Sequence, residues 1–218
     1  MGFYAKHIFP RLMDRVMSGH EFQRLRADLL NSAHGDVLEI GLGTGLNLAW
    51  YPQRVLRLRA VDPAPLLPAR VAKRSAAVSF PVEITRLSAE QLPYDSHSFD
   101  CAVSTWTLCT IPDPGRALQE VRRVLKPAGR FLFLEHGRSD DARTADWQDR
   151  LNPLQNVIGC GCNLNRRIDH LISQAGFNNV QRDRFVMEGV PRIGGELYCG
   201  VAAPDRMDVS APPETGGR

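Results

Sequence analysis

The stretch Asp36-Val-Leu-Glu-Ile-Gly-Leu-Gly-Thr-Gly45 constrains this chain more than any other. Apolar Val37, Leu38 and Ile40 lead into glycines at alternate positions, and Leu46, Leu48, Ala49 and Trp50 follow. A short apolar run ending in glycine reads as a buried strand entering a tight turn. The apolar residues beyond it predict a helix leaving the turn. Glycine lacks a Cβ, so the backbone can turn sharply and a ligand can approach it closely. Free N–H groups where a helix begins favour an anionic group such as a carboxylate.

The spacing narrows the ligand. A dinucleotide fingerprint, G-x-G-x-x-G, needs its third glycine where Leu46 stands; here the third glycine is Gly45. Glu39, just before the turn, would oppose a pyrophosphate and suits an ammonium group. A second alternating run, Val55 to Val61, predicts a strand ending at Asp62-Pro63. An acid there is placed for ribose hydroxyls. A ribose, an amino group and a carboxylate without phosphate describe S-adenosylmethionine.

Glu39 to Gly45, Asp62, Leu87-Ser-Ala-Glu-Gln-Leu-Pro93, Ser98-Phe-Asp100 and Leu125-Lys-Pro-Ala-Gly-Arg-Phe131 occur in that order. Together they resemble the class I S-adenosylmethionine-dependent methyltransferases, in the type 11 group. The resemblance implies an α/β fold: a Rossmann-like, doubly wound seven-stranded sheet, mostly parallel, with an antiparallel edge hairpin and N-terminal helices. It implies a helical lid or cap over 1–34 and a methyltransferase domain over 35–203, while the Pro, Gly and charged residues over 204–218 read as a flexible tail. By the same resemblance the cofactor set is Glu39, Gly41, Leu42, Gly43, Thr44, Gly45, Asn47, Asp62, Pro63, Ala89, Glu90 and Thr105, with Ala89 and Glu90 beside the adenine.

Composition excludes several other classes. In 218 residues, 43% are hydrophobic and 23% charged, which is ordinary for one soluble globular domain. A net charge of +3 without a dense basic patch gives no reason to expect nucleic acid. No apolar run has the length of a bilayer span, and no secretory leader is evident. Five cysteines, an odd number in mostly apolar settings, predict reduced thiols in a cytoplasmic protein. The sequence says nothing of oligomeric state.

Ile8, Phe9, Leu12, Met13, Val16 and Met17 would share one side of a helix over Tyr4 to Met17, with Pro10 near its start or at a kink. Three readings stay open: a packed helix, a lid over the substrate pocket, or a basic amphipathic segment on a membrane surface. Tyr4 and His7 are then candidate pocket contacts. Phe22 to Leu30 predicts a second helix, Pro65 to Ala77 a surface helix, and Val82 to Leu87 a third strand. Cys101 to Thr105 predicts a fourth strand, with Trp106 and Cys109 at its carboxyl end, where they line a pocket or pack in the core. Asp113 suits a cap and Pro114 the first turn of a helix to Leu125. Lys126-Pro-Ala-Gly129 reads as a turn before a fifth strand, Arg130 to Glu135. Thr144 to Leu151 reads as a helix broken at Asn152-Pro153, and Arg166 to Ala175 as another. Val180 to Met187 and Glu196 to Ala203 alternate as two edge strands.

Methyl transfer from a sulfonium asks the protein mainly for orientation and water exclusion. A base matters only for a protonated acceptor. His136, at the end of the fifth strand, is the candidate catalytic base; a structural role is the alternative. No metal is expected, because Cys160-Gly-Cys162 is closely spaced and the sequence shows no second cluster. Ile8 to Met13, Leu108-Cys109, Glu135-His136, Trp147-Gln148 and Gly161 to Leu164 resemble the alkyl-thiol methyltransferases of the methyltransferase-like group. That resemblance implies a small, fairly apolar thiol or hydrogen sulfide as acceptor; Tyr4, from the lid, and Trp106 and Cys109, from the strand end, are the candidates for its site. Those relatives carry a hydrophobic anchor ahead of the position of Phe9, and often Cys where this chain has Leu42. With the chain starting near that position, only peripheral membrane contact through the N-terminal helix is expected. Methylation of a phospholipid headgroup or another small metabolite, and cofactor binding without turnover, are the alternatives.

Overall fold

The structure is a computed structural model and describes residues 2–63 and 67–205. Its centre is β1 (Gly35–Ile40), whose last four residues are all buried. Such a run, buried on both faces and apolar except at Glu39, is what a sheet covered by helices on both sides demands. Parallel neighbours flank it: β2 (Val55–Val61) on one side and β4 (Phe99–Thr105) on the other. Beyond them lie β3 (Val82–Thr85), β5 (Leu125–His136), β6 (Phe177–Val186) and β7 (Glu196–Pro204). The strand order is β3-β2-β1-β4-β5-β7-β6, with β7 antiparallel to both neighbours. The expected hairpin is therefore present, with its second strand inserted between the first and the rest of the sheet.

The period of two along each strand sorts the core into halves. Leu38 and Ile40 face a cluster with α4 (Pro114–Val124) and α6 (Ile168–Gln174), through Leu118, Val121, Val124, Ile168 and Ile172. Val37 faces a cluster containing Leu25, Leu29 and Leu30 of α2 (His20–Leu30). Each of the larger buried side chains contributes about 1.5–3 kcal/mol. The chain winds outward in opposite directions from β1 and β4. The crevice at their carboxyl ends is the topological switch point, where open α/β sheets bind ligands.

Several local expectations hold. The predicted β2 matches residue for residue, and Asp113 caps α4 by accepting from Arg116 N at 3.0 Å. Others are corrected. No full helix follows the glycine turn; only a single tight turn spans Leu48–Trp50. The Asn47 side chain is drawn inward and Pro52 follows shortly after, which leaves no room to propagate a helix. The stretch 126–129 is not a separate turn but a bulge within β5, between the pairs Phe99 with Leu125 and Cys101 with Arg130. Pro153 does not break its helix: α5 (Ala142–Ile158) runs through it, while Asn152 Oδ1 accepts from Leu164 N at 2.8 Å. The surface helix is α3 (Pro68–Ser75), and the first residues predicted for it, 65 and 66, lie outside the described residues. So does the predicted tail from 206 onward; Pro204 itself belongs to β7.

At the N-terminus a π-helical turn, Tyr4–Ile8, leads into α1 (Phe9–Met17), with Pro10 in its first turn. The expected apolar side is only partly buried. Pro10, Asp14 and Met17 face inward, while Ile8, Leu12 and Val16 remain 48%, 50% and 47% exposed. Among the described residues no helix is long and apolar enough to cross a membrane.

Candidate cofactor and acceptor site

The Gly41–Asn47 loop leaves β1 at the switch point and forms one wall of a cavity of ≈ 890 Å³. Small-ligand sites run from roughly 300 to 1,000 Å³, so the space suits a nucleoside and an acceptor side by side. Two glycines explain the loop. Gly41 has φ +77, and a Cβ there would meet Thr107 Oγ1 at 2.2 Å. Gly43 has φ +59, and among the described residues nothing lies within 4 Å of an added Cβ, so its backbone is open to a ligand. Leu42, Thr44 and Asn47 also line the cavity. Gly45 does not; it closes the turn by donating to Leu42 O at 2.9 Å.

Asp62 follows β2 and lines the same cavity, with Pro63 beside it. Its Oδ2 accepts from Gly43 N at 2.7 Å, joining the acid to the loop. This pairing of an open glycine backbone with a carboxylate fits the sugar and amino-acid ends of an adenosyl ligand. Ser88 and Ala89 line the far wall.

Two predicted contacts are corrected. Glu39 does not line the cavity. It lies beneath the loop, 1% exposed, with Oε1 accepting from Asn47 Nδ2 at 2.9 Å and Oε2 from the Tyr51 hydroxyl at 2.8 Å. The carboxylate that was expected to meet an ammonium group instead positions Asn47. Burial raises its pKa to about 7, against the opposing pull of the Tyr51 and Asn47 hydrogen bonds. Glu90 is also turned away from the cavity. Its Oε1 accepts from Asp113 N at 2.7 Å and its Oε2 from Ser88 Oγ at 2.7 Å.

Asn47 is the hub of a buried network. Its amide also donates to Thr105 Oγ1 at 3.0 Å, and its Oδ1 accepts from Arg26 Nε at 3.0 Å. Arg26 comes from α2, donates to Met17 O at 2.8 Å, and stacks 4.7 Å from the centre of the Trp106 ring. Burial lowers its pKa to about 10, which leaves it charged at neutral pH. A second tie involves Asp14 of α1, which pairs with Arg70 and with Arg74 at 2.7 Å. Arg74 also donates to Thr44 O at 2.6 Å. The two N-terminal helices are thus fastened to the glycine loop, and Tyr4 closes the far side by donating to Ile158 O at 2.9 Å. Tyr4 lines the cavity; His7 does not, and packs against Phe3. Arg26, Asp14 and Arg74 were not foreseen, since nothing in their local sequence marks them.

The same cavity is lined by Thr105, Trp106, Cys109, His136, Cys160 and Cys162. Trp106 has φ +49 and meets Phe22 edge-on at 5.4 Å, which turns the chain back across the mouth of β4. Cys109 is buried, and its Sγ lies 3.7 Å from Cys162 Sγ. His136 Nε2 lies 2.9 Å from Cys162 Sγ. Burial disfavours the charged ring, but the hydrogen-bonding contact with Cys162 and the proximity of Glu135 outweigh it, so its pKa is raised. His136 is where the sequence put it, with a thiol of its own chain as its partner. Cys162 joins the cluster through the turn after α5, whose Cys160-Gly-Cys162 spacing gave the sequence no sign of it.

Residues 38–133 match the family model described as a methyltransferase domain. The chain is 33% identical over 194 residues to the thiol S-methyltransferase TMT1B of Homo sapiens, covering 83% of this chain and 79% of that protein. It is 34% identical over 149 residues to the same protein of Rattus norvegicus, covering 66% of this chain and 61%, less than two thirds, of the relative. A phosphatidylethanolamine N-methyltransferase of Cereibacter sphaeroides is 29% identical over 139 residues, covering 63% and 68% of the two chains. The solved N-methyltransferase NodS of Bradyrhizobium japonicum WM9, in complex with S-adenosyl-L-homocysteine, shares the fold at TM-score 0.64. It is 16% identical, with 90% of this chain and 98% of that one covered. The glycine loop at the switch point, the acid after the second strand and the inserted antiparallel strand agree with these matches: the chain belongs to the class I S-adenosylmethionine-dependent methyltransferases.

Proposed function

We propose that this protein transfers the methyl group of S-adenosylmethionine to a small, fairly apolar thiol. The observation that carries the reading is the cavity itself. Its lining brings the Gly41–Asn47 loop and Asp62 together with two thiols and an imidazole, at Cys109, Cys162 and His136. Phe9, Met13, Ile111 and Leu164 add apolar walls. The similarity to thiol S-methyltransferases supports the same acceptor class.

In this reading Asp62 holds the ribose hydroxyls, the loop from Gly41 to Asn47 holds the amino-acid end, and Ala89 lies against the adenine. Glu39 acts through Asn47 as a positioning residue. Bound cofactor supplies an activated methyl group on a sulfonium. The protein then has to orient the acceptor, exclude water and favour loss of the acceptor's proton. A free thiol ionises near about 8.5, so at neutral pH that last task matters. His136 is the residue placed for it. Residues 1–34 act as the lid, with Tyr4 and Trp106 bounding the acceptor side.

A second reading has an observation of its own. Phe3, Ile8, Leu12 and Val16 are exposed, as are Leu154, Val157 and Ile158 at the end of α5 that Tyr4 reaches. This apolar rim suits an acceptor presented at a lipid surface, such as a phospholipid headgroup amine, and peripheral membrane contact. Methyl-labelled S-adenosylmethionine, offered with small thiols, small amines and phosphatidylethanolamine vesicles in separate reactions, decides between them. Label on sulfur supports the proposal, label only on lipid nitrogen supports the second reading, and cofactor binding without transfer to any acceptor rejects both.

A further inference from the structure

We propose that Cys109, His136 and Cys162 form a three-ligand site for a zinc-class divalent cation, with its fourth position open to the cavity for the acceptor thiolate. The inference rests on the thiol reading above and goes beyond it by naming what ionises the acceptor.

The geometry is close to what such an ion requires. The three ligand atoms all lie within 4.8 Å of one another. Tetrahedral zinc with bonds of about 2.3 Å to sulfur and 2.0–2.1 Å to nitrogen places two sulfurs about 3.8 Å apart and a nitrogen and sulfur about 3.6 Å apart. The two sulfurs are already 3.7 Å apart. The His136–Cys162 distance of 2.9 Å has to open by roughly 0.7 Å to reach that nitrogen–sulfur spacing. Soft thiolates with an imidazole select zinc over magnesium or calcium.

The ligands are also held in place before any ion arrives. Asn163, next to Cys162, donates to Cys109 O from its backbone N and from its side chain, each at 2.9 Å. Asn152 and Asn156 each donate to Asn163 Oδ1 at 3.2 Å. Arg166 donates to Leu108 O and, at 2.6 Å, to Ile111 O, fixing the segment that carries Cys109. Three ligands with an open fourth position are the pattern of a catalytic rather than a structural zinc site. The open side is the cavity shared with Gly41–Asn47 and Asp62.

The chemistry balances. Coordination of the acceptor sulfur releases the thiol proton to solvent and leaves a metal-held thiolate. A sulfur lone pair then forms the new S–CH3 bond. The old carbon–sulfur bond breaks with its electron pair staying on the cofactor sulfur, so the sulfonium becomes the neutral thioether of S-adenosyl-L-homocysteine. With the ion present His136 is a ligand, and the cation does the ionising in place of a free base.

Cobalt(II) is the probe. The full chain, purified reduced and stripped with a mild chelator, is titrated with cobalt(II) and, separately, with zinc(II) against a chromophoric chelator. One equivalent should bind, giving thiolate-to-cobalt charge transfer and the visible bands of a tetrahedral site. Adding a small thiol should shift those bands. Cys109→Ser and Cys162→Ser should each raise the zinc Kd on the order of 100-fold or more, since even outer-shell losses cost 10–100-fold. Cys199→Ser, on β7 and not one of the three ligands, should not. Binding of S-adenosyl-L-homocysteine by each variant confirms that it is folded. No stoichiometric binding, or the same cobalt spectrum in Cys109→Ser and Cys162→Ser, overturns the site. Bands indifferent to thiol overturn its open position. Undiminished thiol methylation by metal-free protein rejects the cation while sparing the thiol reading. Failure to methylate any thiol, with or without zinc, rejects that reading while the spectra still judge the site.

Discussion

Replacing Glu39 with glutamine should make the protein more stable above neutral pH, although it removes a carboxylate with two good hydrogen-bond partners. Glu39 lies under the glycine loop, 1% exposed, between Asn47 and Tyr51. Burial raises its pKa from the ordinary 4.5 to about 7, despite the hydrogen bonds that favour the charged form. In the unfolded chain the group ionises near 4.5, so between that value and about 7 the folded state holds a proton the unfolded state has lost. Stability therefore falls as pH rises through this window. Above it, the buried charge costs on the order of 3 kcal/mol. Glutamine does not titrate, and its amide fits the same two partners at a cost of about 1 kcal/mol for the rearranged hydrogen bonds. Urea unfolding at pH 5, 6, 7 and 8 measures the difference between variant and wild type, in which every other titrating group cancels. Near pH 5 the variant should equal the wild type or fall slightly below it. By pH 8 it should exceed the wild type by about 2 kcal/mol. Parallel stability curves across this range would show that Glu39 is not the buried, proton-holding group described here.

Asp62→Ala should weaken S-adenosylmethionine and S-adenosyl-L-homocysteine by about 100-fold each in calorimetry, because charge-assisted hydrogen bonds contribute about 1.5–3 kcal/mol apiece. Unchanged affinity would remove Asp62 from the ribose site. Gly41→Ala should cost about 2–4 kcal/mol of stability by thermal or urea unfolding, from the left-handed φ and the collision with Thr107. A neutral result would mean that the loop relaxes freely. Asp14→Asn should lower stability by about 1–2 kcal/mol and speed cofactor release in stopped flow, because it unfastens α1 from Arg70, Arg74 and the loop. Burial pushes the Asp14 carboxyl up, but the Arg74 and Thr44 hydrogen bonds and the Arg74 and Arg70 charges leave it below the ordinary 3.8. Its contribution is accordingly whole at neutral pH, and the gap between variant and wild type should close only as pH falls below that value.

What was legible in the sequence is what local chemistry dictates. The alternation from Val55 to Val61 marks one strand closed by Asp62-Pro63, so its ends were readable, although Leu56 is exposed and Ala60 and Val61 are both buried. Gly41, Gly43 and Asp62 form a motif whose parts lie at strand ends, and strand ends converge at the switch point whatever the loops do. Asp113 and Pro114 announce α4 by themselves. The misreadings come where a distant partner overrides the local signal. Asn47 gives up a helical path to bond Glu39 and Thr105, the latter 58 residues away. Glu39 was assigned to the ligand because its claim by Tyr51 cannot be seen in one dimension. Pro153 reads as a breaker, yet α5 continues while Asn152 and Asn156 hold the 161–164 turn. Cys109 and Cys162 are 53 residues apart and His136 is 26 from Cys162, so no spacing rule groups them. The exposed face of α1 is a further case, because periodicity shows that a helix has an apolar side without showing whether anything covers it.

The most direct measurement is a crystal structure of the full chain with S-adenosyl-L-homocysteine. The ribose hydroxyls should lie on the Asp62 carboxylate, with the amino-acid end in the Gly41–Asn47 loop. The cofactor sulfur should point toward Cys109, His136 and Cys162, leaving room for an acceptor sulfur about 3–3.5 Å from the transferable methyl. An adenosine bound away from Asp62, or a sulfur directed away from that cluster, would contradict both the cofactor assignment and the acceptor site built on it.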